Sequence, residues 1–379
     1  MIFLDNASTT RLSGRAAENL LHYSTTDFYN PSASYYAGFQ NAKQIMETKA
    51  LLAKHLNVKF NNNIIFTGSA TEATNLAIFG SVRTSWKKAV FSAGEHPSVY
   101  NSALQLKARG IEVVFVDLDK TGAIDLEKLE AALDEDVNFI SIMHVSNETG
   151  AVNNLEKIAE IKAKKCPKAL FHVDGVQAFG KVSTNLETFK PDFYTISAHK
   201  FHGPKGLGAL YVKNPAKLLP IIHGGGQEYN LRSGTENLPA IMALKGALEE
   251  CDAWQNQKLL KTLGIYFKTE LKSRLNPEIP MKILEGEGFA PHIISISFVG
   301  LKGQVLQNMC DQKGLMISTG SACSSKKMGN RVLENIGYSK DEVLGNVRIS
   351  FSRYTSKEDA LEGAKILAEC ANELWRNTR

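Results

Sequence analysis

Short apolar segments alternate with helical segments through much of the chain, and this alternation limits the fold more than any other feature of the sequence. The apolar segments read as strands and include NIIFTG (63–68), AVFSAGEH (89–96), IEVVFVD (111–117) and FISIMHV (139–145). Strands that are apolar throughout and separated by helices are typical of a mostly parallel sheet covered on both faces. The sequence therefore predicts an α/β protein, with GPKGLGALYV (203–212) as a returning antiparallel strand.

The remaining segments predict a second, smaller unit. A helix is expected over 31–57, and a long helical pattern runs from Pro239 to about Leu275 as a bridge between domains. Strands at IISISFVG (293–300) and NVRISFS (346–352) then indicate an α+β arrangement. We expect a large domain over residues 15–250. The small domain would combine residues 1–14 with 251–379 and carry a loop at about 318–330.

Charge and cysteine content exclude several classes of protein. The formal charge of +5 over 379 residues is small, and basic and acidic residues are interspersed, so neither nucleic acid nor a membrane surface is an expected partner. The start, MIFLDNASTT, lacks the basic region of a signal peptide, which predicts a cytoplasmic protein. Five widely spaced cysteines without a CxxC pair argue against a disulfide framework or a structural zinc site.

Two polar residues, Asp174 and Lys200, follow apolar segments in the central stretch 171–200. The carboxyl ends of parallel strands face the ligand crevice of an α/β sheet, so this acid and this amine are expected to meet there. Pyridoxal phosphate requires such a pair, because a lysine binds its aldehyde as a Schiff base and a carboxylate keeps its ring nitrogen protonated. The alternative is a partly buried salt bridge with His199 as a polar neighbour.

Other strand ends carry groups that suit the same cofactor. Backbone N–H groups at Ala70 and Thr71 begin a predicted helix after a strand, where a phosphate would be favoured, although an ordinary helix cap would look the same. Further candidates are Ser197 and His199 for the phosphate, His96 for stacking on the ring or moving protons, and Asn147 and Gln177 for hydrogen bonds to a ring oxygen. Each of these could instead be a satisfied structural residue.

A run of small residues, Ser318 to Ser325, surrounds Cys323 and is too polar for a core. Two lysines, Lys326 and Lys327, follow closely and would favour the thiolate, which is the nucleophilic form of cysteine. The sequence thus predicts an exposed, reactive Cys323, with an unremarkable surface cysteine as the alternative.

These motifs together resemble the cysteine desulfurases, the class V, fold-type I pyridoxal-phosphate enzymes that supply sulfur for iron–sulfur clusters. The likeness covers nearly the whole chain and is carried by LDNAST, NPSA, GSATEATNLAI, GEHPSV, HVSNETG, HVDGVQAFGK, SAHKFHGPKG, RSGTEN, STGSACSS and VRIS. It implies L-cysteine as substrate, a homodimer, and a sulfur-acceptor or iron–sulfur scaffold protein as partner.

The resemblance also implies residue roles. Lys200 would bind pyridoxal 5'-phosphate covalently, Asp174 would pair with its ring nitrogen, His96 would stack on the ring, and Gln177 and Asn147 would contact it. Phosphate binding would fall to Ala70, Thr71, Ser197, His199 and, from the neighbouring subunit, Thr235. Arg348 would bind the substrate carboxylate, assisted by Asn30.

Cys323 would then be the catalytic nucleophile that becomes a persulfide, on a loop of the longer kind that reaches acceptor proteins. It is also a candidate transient ligand of an iron–sulfur cluster. The segment KKMGNRVLENIG lacks the proline and acidic residue of the housekeeping members, which leaves the acceptor open. The alternatives are a selenocysteine lyase or a class V aminotransferase on the same fold, and an inactive sulfur-carrier or scaffold protein.

Overall fold

A computed structural model describes residues 1–59, 61–319 and 330–378. Its strands are β1 (Ile2–Phe3), β2 (Ile64–Thr67), β3 (Lys88–Ser92), β4 (Glu112–Val116), β5 (Val137–Ser141), β6 (Leu170–Asp174), β7 (Phe193–Ser197), β8 (Gly208–Val212), β9 (Met281–Leu284), β10 (Ile293–Phe298), β11 (Leu315–Met316) and β12 (Asn346–Ser350). Its α-helices are α1 (Gly14–Thr25), α2 (Tyr36–His55), α3 (Ala70–Phe79), α4 (Pro97–Ala108), α5 (Leu126–Ala132), α6 (Leu155–Lys165), α7 (Leu186–Phe189), α8 (Leu238–Glu249), α9 (Ala253–Arg274), α10 (Gly303–Gln312), α11 (Arg331–Asn335), α12 (Lys340–Leu344) and α13 (Lys357–Thr378).

A seven-stranded sheet in the order β2-β8-β7-β6-β5-β3-β4 forms the centre of the fold. β3, β4, β5, β6 and β7 pair in parallel, and β8 runs antiparallel to both β2 and β7. The predicted α/β class and the antiparallel return over 203–212 are therefore confirmed. In this arrangement the carboxyl ends of the parallel strands lie along one edge of the sheet.

Helices bury both faces of this sheet. One core cluster joins α2, α6 and α8 to strand residues such as Ile140 and Val173. A second cluster on the opposite face joins α3 and α4 to strand residues such as Phe91 and Leu210. Since the strands are buried on both sides, they contain continuous apolar runs, which is the pattern of a parallel sheet in an α/β fold.

A three-stranded antiparallel sheet, β12-β10-β9, lies in the C-terminal part of the chain. It packs against α9, α10 and α13 in a separate core that includes Phe267, Phe298, Leu306 and Leu367. The first strand also belongs here, because β1 pairs in parallel with β11. The chain start and the last quarter of the sequence thus share one core.

Two helix predictions were wrong in their bounds. The helix expected over 31–57 begins only at Tyr36, because the Asn30 side chain accepts a hydrogen bond from the Ser32 N–H and holds the preceding residues in a turn. The pattern from Pro239 to Leu275 is two helices, α8 and α9. Asp252 separates them by capping the Gln255 N–H at the start of α9.

None of the helices in the described ranges has both the length and the apolar composition required to cross a bilayer.

Candidate active site

A cleft with a volume of about 260 Å³ lies at the carboxyl ends of the parallel strands. Its lining residues are Ala7, Ser8, Ser69, Ala70, Thr71, His96, Ser98, Met143, Val145, Asn147, Asp174, Val176, Gln177, Ser197, His199, Lys200 and Arg348. Ten of the thirteen residues predicted from the sequence are in this set. They come from six places in the chain, and the sheet topology brings them together.

Lys200 ends a short 3₁₀ turn, Ala198–Lys200, that follows β7 directly. Its Nζ donates hydrogen bonds of 2.7 Å to the backbone carbonyl oxygens of Ala7 and Ser8. The N-terminal segment therefore fixes the position of the amine in the cleft. Ala7 and Ser8 were not singled out individually from the sequence, although they belong to the LDNAST motif.

Asp174 is the last residue of β6 and is only 6% exposed. Its Oδ1 accepts a hydrogen bond of 2.9 Å from the Val176 N–H, and burial raises the pKa of the carboxyl. The next residue, Gly175, packs so closely on Tyr194 that an added Cβ would lie 2.0 Å from the ring. Glycine is therefore required there if the chain is to turn immediately after the carboxylate.

His96 lies at the N-cap of α4, after β3. Its Nδ1 accepts a hydrogen bond from the Ser98 N–H at 3.2 Å and lies 2.8 Å from the Ser98 Oγ. Burial lowers the pKa of the imidazole, and the nearby Asp174 carboxylate acts in the opposite direction. With Nδ1 occupied as an acceptor, the other ring nitrogen, Nε2, carries the proton of the neutral ring.

The amino end of α3 forms one wall of the cleft. Ser69 caps the helix by accepting the Glu72 N–H, and Ala70 and Thr71 are its first two residues. The unpaired N–H groups and the dipole of this ten-residue helix favour an anion at this position. Opposite them, the Nδ1 of His199 lies 3.0 Å from the Thr9 hydroxyl, and burial lowers the pKa of His199 to about 4.

Two amide side chains face the cleft between these groups. Gln177 donates from Nε2 to the Ala7 carbonyl at 2.8 Å. Asn147 donates from the side-chain Nδ2 to Glu148 at 2.9 Å, and its backbone carbonyl accepts from Arg348. Each amide side chain thus has one hydrogen bond within the protein and lines the cleft.

Arg348 extends from β12 into the cleft and is 6% exposed. Nη1 donates to the Asn147 carbonyl at 2.8 Å, and Nη2 donates to the Asp5 carboxylate at 2.9 Å and the Ser8 hydroxyl at 2.8 Å. The buried Nε has no hydrogen-bond partner among the described residues. This orphaned donor on a guanidinium is suited to an incoming carboxylate.

Two predicted residues, Thr235 and Asn30, lie outside this cleft. Thr235 lines a separate cavity of about 140 Å³ together with Gly68, Glu228 and Arg232. Asn30 is exposed and caps the turn before α2, outside the cleft. Cys323 lies outside the described residues. The predicted roles of all three remain predictions.

The side chains in the cleft fit pyridoxal phosphate. Lys200 supplies an amine, Asp174 a buried carboxylate, and the α3 terminus with Ser197 and His199 an anion site. Within the described ranges, by contrast, no group of three or more His, Cys, Asp or Glu side chains is arranged to hold a metal ion. The amine, the carboxylate and the anion site are the groups that an organic phosphate cofactor requires.

A family model and the sequences of known proteins both place the chain in the same family. The model of the aminotransferase class-V family matches residues 2–362. A cysteine desulfurase IscS from Dictyoglomus turgidum is 34% identical over 366 residues, which cover 94% of this chain and 91% of that protein.

Solved structures show the same likeness. A NifS-like protein superposes with a TM-score of 0.91 at 31% identity, covering 98% of this chain and 100% of the other. A structure described as SspA in complex with cysteine has a TM-score of 0.81 at 27% identity and covers 94% of this chain and 100% of its own.

Proposed function

Because the chain belongs to the aminotransferase class-V family, we propose that it is a cysteine desulfurase, which uses pyridoxal phosphate to convert L-cysteine into L-alanine and a persulfide. The observation that carries this proposal is the convergence of Lys200, Asp174 and Arg348 on one cleft. An amine for the aldehyde, an acid for the ring nitrogen and a guanidinium for the substrate carboxylate are the groups that amino-acid chemistry on this cofactor requires.

The chain's own residues perform defined tasks in this scheme. Lys200 would hold the cofactor and would be the base that removes the α-proton of cysteine. Asp174 would keep the proton on the ring nitrogen, and Arg348 would orient the substrate through its carboxylate. Pyridoxal phosphate, when bound, supplies an electron-withdrawing ring that stabilises negative charge at the α-carbon.

Sulfur leaves through Cys323 in this proposal. The Cys323 thiolate attacks the substrate sulfur, so that a sulfur–sulfur bond forms as the carbon–sulfur bond breaks. The released electron pair returns to the substrate carbon, which takes up a proton and leaves as alanine. The family resemblance of the STGSACSS motif supports this role.

A Cys323→Ser variant tests the scheme. We expect it to keep the absorbance of the bound cofactor and to release no sulfide from L-cysteine in the presence of a thiol. Cys166→Ala, which removes a buried thiol at the end of α6, is the matched control and should keep full activity. Sulfide release by Cys323→Ser at the wild-type rate would contradict the nucleophile assignment.

The same assay distinguishes the related activities. Incubation with L-cysteine, with selenocysteine, and with alanine plus an oxo acid separates a desulfurase from a selenocysteine lyase and an aminotransferase. An inactive sulfur carrier would act on none of the three and would take up no pyridoxal phosphate.

We further propose a homodimer in which Thr235 reaches the phosphate site of the other subunit. Large apolar side chains are exposed together around the start of α2: Phe28 (62%), Tyr35 (52%), Tyr36 (78%) and Phe39 (62%). A contiguous exposed patch of this kind is typical of a protein interface. A Tyr36→Arg/Phe39→Glu double variant should sediment as a monomer, whereas the wild type should sediment as a dimer.

The domain division, location and acceptor are also proposals. Two hydrophobic clusters pack around the seven-stranded sheet, and a third combines Leu4 with residues after 259. These separate cores support a large domain over 15–250 and a small domain formed by 1–14 with 251–379. The four cysteines that the structure describes, Cys166, Cys251, Cys310 and Cys370, are free thiols, which suits the reducing cytoplasm. A scaffold or carrier protein for iron–sulfur cluster assembly would receive the persulfide, and trapping that mixed disulfide would identify it.

A further inference from the structure

Lys181 is a buried lysine next to Gln177, one of the residues that line the cofactor cleft. It lies in the turn after β6 and is 7% exposed. Its Nζ donates a hydrogen bond of 3.1 Å to the Oε1 atom of Gln177. Burying an amine is costly, and this one reaches Gln177, which lines the cofactor cleft, instead of solvent. Such a group requires an explanation beyond packing.

The hydrogen bonds around Gln177 fix the orientation of its amide. The Ala7 carbonyl oxygen can only accept, so the Gln177 atom 2.8 Å from it must be the donor Nε2. Oε1 then necessarily points to Lys181. Gln177 lines the cleft, so the second hydrogen of its Nε2 can be donated to a group bound there.

The Ala7 carbonyl also accepts from Lys200 Nζ at 2.7 Å. One backbone oxygen therefore connects the amide of Gln177 with the amine of Lys200. Lys181 lines a second, small cavity of about 20 Å³ together with Lys200 and Cys251, and it also bonds to Gln177. Burial, followed by the nearby Lys200, lowers the pKa of Lys181 to about 7.

We propose that Lys181 is a positioning residue that locks the Gln177 amide with its NH₂ group towards the ring oxygen of the cofactor. This inference rests on the proposed use of pyridoxal phosphate. Without the Lys181 bond only the Ala7 carbonyl holds the amide, and any rotation that turned Oε1 to the cleft would bring it against the negatively charged ring oxygen. Lys181 would thus act on the cofactor through Gln177 and not by direct contact.

A double-mutant cycle on cofactor binding tests the proposal. The dissociation constant of pyridoxal phosphate is measured on the apo forms of wild type, Lys181→Met, Gln177→Met and the double variant, together with the absorbance maximum of each reconstituted protein. Met keeps the volume of each side chain and removes its hydrogen bonds. We expect Lys181→Met to weaken binding about 3- to 10-fold, the value of one lost hydrogen bond.

The coupling of the two residues decides the outcome. In the Gln177→Met background, Lys181→Met should change the dissociation constant less than about 2-fold, because the route of its effect is already removed. Lys162→Met is the control. It removes a half-buried amine of α6 that donates to the Pro167 carbonyl, and this variant should bind pyridoxal phosphate with wild-type affinity. If Lys181→Met unfolds too easily to titrate, Lys181→Leu, which also lacks a hydrogen-bond donor, replaces it in the same cycle.

Two results would overturn the inference. One is a Lys181→Met variant with the wild-type affinity for pyridoxal phosphate and the wild-type absorbance maximum. The other is a Lys181→Met substitution that weakens binding by the same factor in the wild-type and Gln177→Met backgrounds. Failure of the wild-type apo protein to bind pyridoxal phosphate would instead overturn the proposed function, so the two failures are distinguishable.

Discussion

The Nη2 atom of Arg348 lies 2.9 Å from a carboxylate oxygen of Asp5, across 343 positions of sequence. This ion pair holds the guanidinium at the cleft, with the Ser8 hydroxyl and the Asn147 carbonyl as further partners. Arg348 is thereby oriented before any substrate is present. Pre-orientation lowers the entropy lost when a carboxylate binds.

Substitution of Arg348 by lysine should weaken substrate binding without removing the cofactor. An ammonium keeps the charge but loses the planar pair of donors, so we expect KM for L-cysteine to rise about 10- to 100-fold. Steady-state sulfide release and the cofactor absorbance are the measurements. Arg353→Lys, on a neighbouring arginine paired with Glu250, is the control and should leave KM within about 2-fold of wild type. An unchanged KM in Arg348→Lys would assign the carboxylate to another residue.

Asp174→Asn should lower kcat about 100-fold while the protein still takes up pyridoxal phosphate, because a neutral amide cannot keep the ring nitrogen protonated. The amide still fits the buried position and accepts the Val176 N–H. Rates of sulfide release are compared with those of Asp136→Asn, a surface acid paired with Lys87. Wild-type turnover in Asp174→Asn would show that the ring nitrogen has a different partner.

Acid should destabilise the protein between pH 6.5 and 4 through its buried histidines. His172 contacts the Ser141 and Thr195 hydroxyls at 2.8 and 3.0 Å, and burial lowers its pKa to about 3. The unfolded chain takes up this proton near pH 6.5 and the folded one does not, so stability falls as pH falls, by about 1.4 kcal/mol per pH unit for one such group.

His172→Gln should therefore flatten the dependence of the unfolding free energy on pH in this range. Urea unfolding at pH 7, 6, 5 and 4.5 measures the slope. His22→Gln, at an exposed histidine beside Asp27, should retain the wild-type slope. Equal slopes in both variants would mean that other buried groups cause the acid sensitivity.

Lys49 and Glu228 form an ion pair of 2.5 Å with side chains that are 3% and 4% exposed. Glu228 also accepts the Phe66 N–H, so the pair ties α2 to β2. Lys49→Met would leave the carboxylate buried with one donor, and we expect a loss of about 3–5 kcal/mol in the unfolding free energy.

The double variant Lys49→Met/Glu228→Gln should lose much less than the sum of the two single variants, since no unpaired charge remains. Urea unfolding of the wild type, the two single variants and the double variant gives the coupling free energy between Lys49 and Glu228. Lys157→Met, which breaks an exposed pair with Glu160, should cost less than about 1 kcal/mol. Additive losses at Lys49 and Glu228 would show that the two charges are independent.

The sheet and most of the cleft followed from the sequence because they depend on local signals. Apolar runs predicted the strands, and polar residues directly after them, such as Asp174 and Lys200, necessarily lie at the same edge of a parallel sheet. The antiparallel return after Lys200 was visible in its glycines and its short apolar run.

Features that depend on distant contacts were not visible. The sequence does not show that Asp5 pairs with Arg348 or that the Ala7 carbonyl accepts from both Lys200 and Gln177, because each bond joins segments more than 150 positions apart. Lys181 has no recognisable pattern of its own, and its importance appears only once its burial is known. The break between α8 and α9 was missed because apolar spacing continues across the Asp252 cap.

The pairing of the first strand has a consequence for biosynthesis. β1 binds β11, and Asn6 donates to the Ser350 carbonyl, so this segment is synthesised more than 300 positions before its partners. It must remain unpaired with them while the large sheet assembles. The surroundings of Lys200 can reach their final form only after β12 has been synthesised, when Arg348 can bind Asp5 and the segment with Ala7 and Ser8 can pack across the cleft.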